Sequence, residues 1–206
     1  MSRVVSIVTR DPGPETGRKL NEGLWQYPAV LLMYVIGLSA LQQNRLLLVR
    51  DTLLGVKHEL FNIAKRVPLV DYIRMDSISQ YAKGVYRPGE NQTYKTPLSE
   101  HLFMELHVLL DSYFVDDKEF EHIFDLFEYI VGLACASIYL REGDGIGWVP
   151  PGRYMWKNRL DEKRTSLLKA TALDLGVTAL IFDGHSEWSD AATDYLNKCA
   201  NDFKWR

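Results

Sequence analysis

The chain is poor in most of what marks a small enzyme, a secreted protein or a membrane protein. It carries two cysteines, Cys135 and Cys199, in 206 residues. Neither belongs to a CxxC pair or has a histidine at ligand spacing, so neither a zinc site nor a disulfide framework is indicated. Both read as small buried hydrophobes in a reducing compartment. Long apolar runs are missing as well. The strongest, Ala29 to Leu41, ends at Gln42, Gln43, Asn44 and Arg45 and is too short for a hydrocarbon core of about 30 Å. The opening MSRVVSIVTRDPGPE has neither the apolar core nor the small-residue cleavage site of a signal peptide. These absences predict a soluble, cytoplasmic protein with no membrane contact. There is no basic excess either: 24 Lys and Arg stand against 27 Asp and Glu, a formal net charge of -3, whereas a binder of phosphate backbones usually has a basic domain.

Complete chemical motifs are equally scarce. GDGIG at 143–147 lacks the Lys and Ser/Thr of a P-loop, and it follows a helical pattern rather than the strand a dinucleotide fingerprint requires. His101 and His107 are six apart and point in different directions on a helix, with Glu105 between them but no HExxH. FDGHS at 182–186 places Asp183, His185 and Ser186 in one short stretch. A nucleophile triad instead gathers its members from separate segments. No cofactor is indicated.

What the chain does have is helical periodicity. Asp11, Pro12, Gly13, Pro14 and Gly17 form a linker that no helix crosses, making residues 1–19 an N-terminal extension, with RVVSIVT at 3–9 a short strand or extended lead-in. Such a start looks like a fragment boundary. Leu20 to Tyr27 is a short amphipathic segment, and Pro28 suits the first turn of a new, nearly all-apolar helix. Small residues Gly37, Ser39 and Ala40 in that helix would let a neighbour approach closely. Arg45–Leu54 and Lys57–Arg66 continue the helical pattern. The stretch from Val70 to Tyr94 reads as about two helical turns and then a long loop.

Thr96-Pro97 is a helix start. Leu98, Leu102, Phe103, Leu106, Leu109, Leu110 and Phe114 form its apolar stripe. Asp116 and Asp117 cap a second helix, in which Phe120, Ile123, Phe124, Phe127, Ile130, Val131, Ala134 and Ile138 keep the three-four spacing. A helix over 164–182 and a last one from Ser186 or Ser189 to about Phe203 complete an all-α, single multi-helix domain over 20–206. It is built around an antiparallel helical hairpin of about 97–114 and 119–140.

Charge is unevenly placed. Between Glu100 and Glu128 there are nine acidic residues and one basic residue, Lys118, while Arg153 to Lys169 holds six basic and two acidic residues. Glu121, Asp125 and Glu128 fall at spacings of four and three, on one side of a helix. That face suits acid/base work or a divalent metal, or simply lies in solvent. The block Trp148, Pro150, Pro151, Gly152, Arg153, Tyr154, Trp156, Arg159 alternates cations with rings. It suits stacking on a base or pairing with an anion, unless the arginines pair with the acidic helices and the rings fill the core.

Three segments, YPAVLLMYVIGLSAL, FDLFEYIVGLACASI and GWVPPGRYMWKNR, occur in that order. Together they resemble a helical C-terminal region of uncharacterised bacterial proteins, some of which carry sirtuin-like NAD-hydrolysing effector domains upstream. The resemblance spans about residues 20–205. Its motifs are structural, and Lys157 stands where an Arg would be expected. No sirtuin-like catalytic core is present. The resemblance implies a non-catalytic accessory, sensing or oligomerisation domain of a bacterial defence-like or regulatory protein.

Such a domain would act by binding a protein partner or another copy of itself. Arg153, Tyr154, Trp156 and Arg159 are the expected contacts, and the Tyr86–Tyr94 loop is a second surface. The alternative expectation is a small divalent-metal-dependent hydrolase or nuclease using Glu121, Asp125 and Glu128. A third is nucleic-acid binding through the basic segment 153–169.

Overall fold

The computed structural model describes residues 19–59, 66–72, 96–143, 145–147, 149, 152–157 and 162–203. Expectations for residues 1–18 and for the Tyr86–Tyr94 loop lie outside these. The described residues form an all-α fold. Helix α1 (Lys19–Gln42) leads to α2 (Leu46–Arg50), a π-helical turn (Asp51–Gly55), strands β1 (Lys57–Glu59) and β2 (Arg66–Pro68), and α3 (Leu69–Tyr72). Then come α4 (Pro97–Leu110) with a 3-10 turn (Asp111–Tyr113), α5 (Asp117–Glu142) and α6 (Arg153–Lys157). Helices α7 (Glu162–Asp174), α8 (Val177–Ile181) and α9 (Ser186–Phe203) close the order.

The predicted hairpin is present and antiparallel: His107 meets Phe120, Phe103 meets Phe124, and Ser99 meets Glu128, so numbers fall along α4 as they rise along α5. Asp116 caps α5 by accepting from the Glu119 N–H at 2.8 Å, which satisfies one of the free donors of the first turn. Gly143 ends the helix with φ 79°, a left-handed conformation that a Cβ would resist.

Helix α5 is the centre of the domain. Every residue from Phe124 to Ser137 is buried, because α1, α3, α4, α6, α7, α8 and α9 pack around it. By length and composition it could cross a bilayer, yet 78% of its most apolar window is buried inside the domain. The predicted close approach at Gly37 is real. A Cβ there would run into the Phe127 ring, so the bare glycine lets α1 settle on α5.

Four local expectations need correction. Pro28 does not begin a new helix but lies inside the continuous α1. Lys57–Arg66 is not a helix: Lys57–Glu59 and Arg66–Pro68 pair antiparallel, with His58 opposite Val67. The expected 164–182 helix is two helices, divided where Gly176 turns left-handed at φ 75°. Leu109, placed by periodicity in the buried stripe of α4, is 59% exposed, while Leu98, Leu102, Leu106 and Leu110 are buried.

Candidate functional site

The residues singled out by the sequence do converge, but inside the protein. Arg153, the first residue of α6, is 3% exposed, and its guanidinium lies 3.6 Å above the Phe103 ring. Its Nε donates to Glu100 at 3.3 Å and its Nη1 to Glu121 and Asp125 at 3.4 Å each. Arg164, from α7, donates to the other oxygen of Asp125 at 2.8 Å. Asp125 is fully buried and carries two arginines. Burial pushes its carboxyl upward against the pull of Arg164 and Arg153, since taking a charge out of water disfavours the ionised form.

Glu128, one turn further along α5, joins four elements. Its Oε1 accepts from Ser99 Oγ at 2.5 Å and from the Tyr34 hydroxyl at 3.2 Å, and its Oε2 accepts the Arg153 main-chain N–H at 2.8 Å. The Arg153 N–H is shared with Ser99 Oγ, also at 2.8 Å. Burial raises Glu128 to about 8, outweighing the Ser99 and Arg153 hydrogen bonds that favour its charged form. The Tyr34 hydroxyl is pushed well up by its own burial and by the neighbouring Glu128. Gly152 permits the approach of α6: a Cβ there would lie 2.6 Å from Glu128 Oε2.

This geometry corrects the expectations placed on these residues. Glu121, Asp125 and Glu128 are not a solvated face. Asp125 and Glu128 are buried, and Glu121 is partly exposed and bonded to Arg153. Nor do the three present an open set of ligands to a metal, because the Arg153 guanidinium occupies the space between Glu121 and Asp125. A cation would have to displace it. Arg153 and Tyr154, at 3% and 2% exposure, are unavailable to a partner in this arrangement. Tyr154 packs edge-on against Tyr129, and its buried hydroxyl has no hydrogen-bond partner among the described residues. Within the 153–169 segment, Arg153 and Arg164 are committed to acidic partners, which removes two of the cations a nucleic-acid surface would use. Trp156 lies in α6, and Arg159 falls outside the described residues.

A second cluster forms where α4 ends and α5 begins. His107 Nε2 lies 3.1 Å from Asp117 Oδ1, and ligand atoms of His107, Asp111 and Asp117 all come within 4.8 Å of one another. They edge a cleft of about 250 Å³ that Asp116, Val115 and Phe120 also line. The His107 ring completes a three-ring cluster, parallel to Phe103 at 5.9 Å and tilted on Phe120 at 5.0 Å, with Phe103 and Phe120 themselves 5.2 Å apart. The sequence set His107 only against His101, six residues away, where no shared ligation is possible. The useful signal was His107 with Asp111, four apart on one helix face. Beside the cleft, Met104, Val108, Tyr113 and Val115 are exposed by 40%, 79%, 64% and 87%.

The chain matches no family model, no curated protein and no solved structure.

Proposed function

We propose that the chain is a non-catalytic helical domain that works by binding another protein through the outer face of α4 and the adjoining 3-10 turn. The exposure of Val108, Tyr113 and Val115 by 79%, 64% and 87% carries this reading. Clustered apolar groups left in water usually mark a contact surface. The buried charge cluster agrees with it. Asp125 and Glu128 are enclosed and bonded within the chain, so they act as fasteners between helices rather than as reagents. The resemblance of the α1, α5 and α6 segments to a helical region of bacterial proteins supports an accessory role, in a defence-like or regulatory setting.

A photoreactive residue in place of Val115 should give a discrete crosslinked adduct in cells of the source organism. The same residue in place of Glu187, exposed on α9, should not. Equal adducts at both positions, or none at either, overturn the proposal.

A further inference from the structure

The contact surface on α4 has a chemical character that narrows its partner, an inference that rests on the protein-binding role proposed for that surface. Met104, His107, Val108 and Asp111 succeed one another at intervals of three, one and three residues, and all share one face of the helix and its last turn. That face runs into the acidic cleft, of which the 87%-exposed Val115 is itself a wall. Apolar surface and acidic notch are therefore one continuous feature. The cleft places Asp111, Asp116 and Asp117 together, and no Lys or Arg is among its described lining residues. Asp111 also sits at the carboxyl end of α4, where the helix dipole already presents negative charge and a carboxylate is disfavoured. A cation arriving from outside relieves that repulsion. At about 250 Å³ the notch is below the roughly 300–1,000 Å³ of small-molecule sites, and it suits the head of one long side chain.

We propose that this surface docks a basic amphipathic helix of a partner protein. Apolar side chains of that helix cover Val108, Tyr113 and Val115, and one Lys or Arg enters the notch between Asp111 and Asp117. Helix-in-groove recognition reads the partner through such regularly spaced anchors. Pairing of this face with a second copy is disfavoured, because it would set Asp111, Asp116 and Asp117 against their own equivalents, and like charges across an interface are costly.

The test measures fluorescence anisotropy with a labelled model helix that has leucine on one face and lysine and arginine on the other, beside a counterpart with glutamate for every cation. The basic helix should bind the full chain, with affinity falling steeply as salt rises. Asp111→Asn with Asp117→Asn, or Val108→Ser with Val115→Ser, should weaken it at least tenfold. The distant pair Glu187→Gln and Asp190→Asn should leave it unchanged. No binding, or equal weakening by the distant pair, overturns the proposal. Binding of the glutamate helix that depends on Val115 overturns the charge assignment while leaving the docking surface standing. If no helix responds to the Val108 and Val115 changes, the docking surface falls too. A melting shift with millimolar magnesium or calcium that Asp111→Asn abolishes would make the notch an ion site. A dimer in sedimentation velocity that the Val108 and Val115 changes dissociate would make a second copy the occupant. Either result overturns the proposal.

Discussion

The main-chain N–H of Arg153 donates to Glu128 Oε2 at 2.8 Å, so the first residue of α6 is fastened to the middle of α5. The side chain of the same arginine turns to Glu100, Glu121 and Asp125. One residue therefore ties α4, α5 and α6 together, by its backbone on one side and its guanidinium on the other.

Removing that guanidinium should destabilise rather than disarm the protein. Arg153→Ala leaves the buried Asp125 without its inner partner, and breaking a buried pair this way costs about 3–5 kcal/mol. Arg153→Met, which keeps the volume over Phe103, combined with Asp125→Asn should recover part of that loss. Urea midpoints of the single and double variants check this. A single variant as stable as the parent would mean that Arg153 is held for something other than structure.

Glu128 predicts a pH dependence with a definite sign. Its folded value, about 8, lies above the ordinary 4.5, so the native state holds the proton more tightly than the unfolded chain. Its contribution is full below about pH 4.5 and is lost as pH rises to about 8, by several kcal/mol over that range. Glu128→Gln, whose amide can flip to accept from the Arg153 N–H and donate to Ser99, should fold and should flatten the pH 5–8 stability profile relative to the parent. The lowered values of His101 and His122, both due first to burial, slope the other way. They are common to both proteins and cancel in the comparison. Parallel profiles would show that Glu128 is already charged when folded.

Gly37→Ala should destabilise by about 1–3 kcal/mol, the usual range for overpacking a tight core. A Cβ would enter the Phe127 ring, and that ring is held edge-on against Tyr34 at 5.1 Å. Thermal melts check it, and Phe127→Leu in the same chain should restore part of the loss by making room.

Val108→Ser and Val115→Ser, at 79% and 87% exposure, should leave stability within about 0.5 kcal/mol, as surface changes usually do. Chemical denaturation of each variant checks this. A larger loss would show that these side chains are covered within the chain itself.

The hairpin was legible because its apolar positions repeat every three or four residues along both helices, and because Pro97 in the first turn, the Asp116 cap and the left-handed Gly143 punctuate it; Thr96, expected to cap, makes no side-chain capping hydrogen bond. The charged junction was only half legible. Glu121, Asp125 and Glu128 stood out as a set, but the same spacing describes a face in water. What engages them is Arg153, far along the chain, whose contact with Asp125 no local pattern encodes. The compositional reading did reach it: an acid-rich stretch up to Glu128 and a base-rich one from Arg153 allowed the arginines to pair with the acidic helices, as Arg153 and Arg164 do. Leu109 failed for a related reason. Periodicity tells which residues share a face, but how far around a helix its neighbours reach depends on tertiary packing.

The burial of α5 on every side from Phe124 to Ser137 also governs how the domain comes apart. No water reaches the middle of that helix unless one of the helices packed on it, α1, α3, α4, α6, α7, α8 or α9, moves away, and each departure exposes apolar surface on both partners. Backbone amides in that stretch can therefore trade hydrogen for deuterium only when at least one packed helix comes away, while the outer turns of α9 can fray alone. A protease working at the edges would therefore meet a central helix that stays closed until one of its packed neighbours departs.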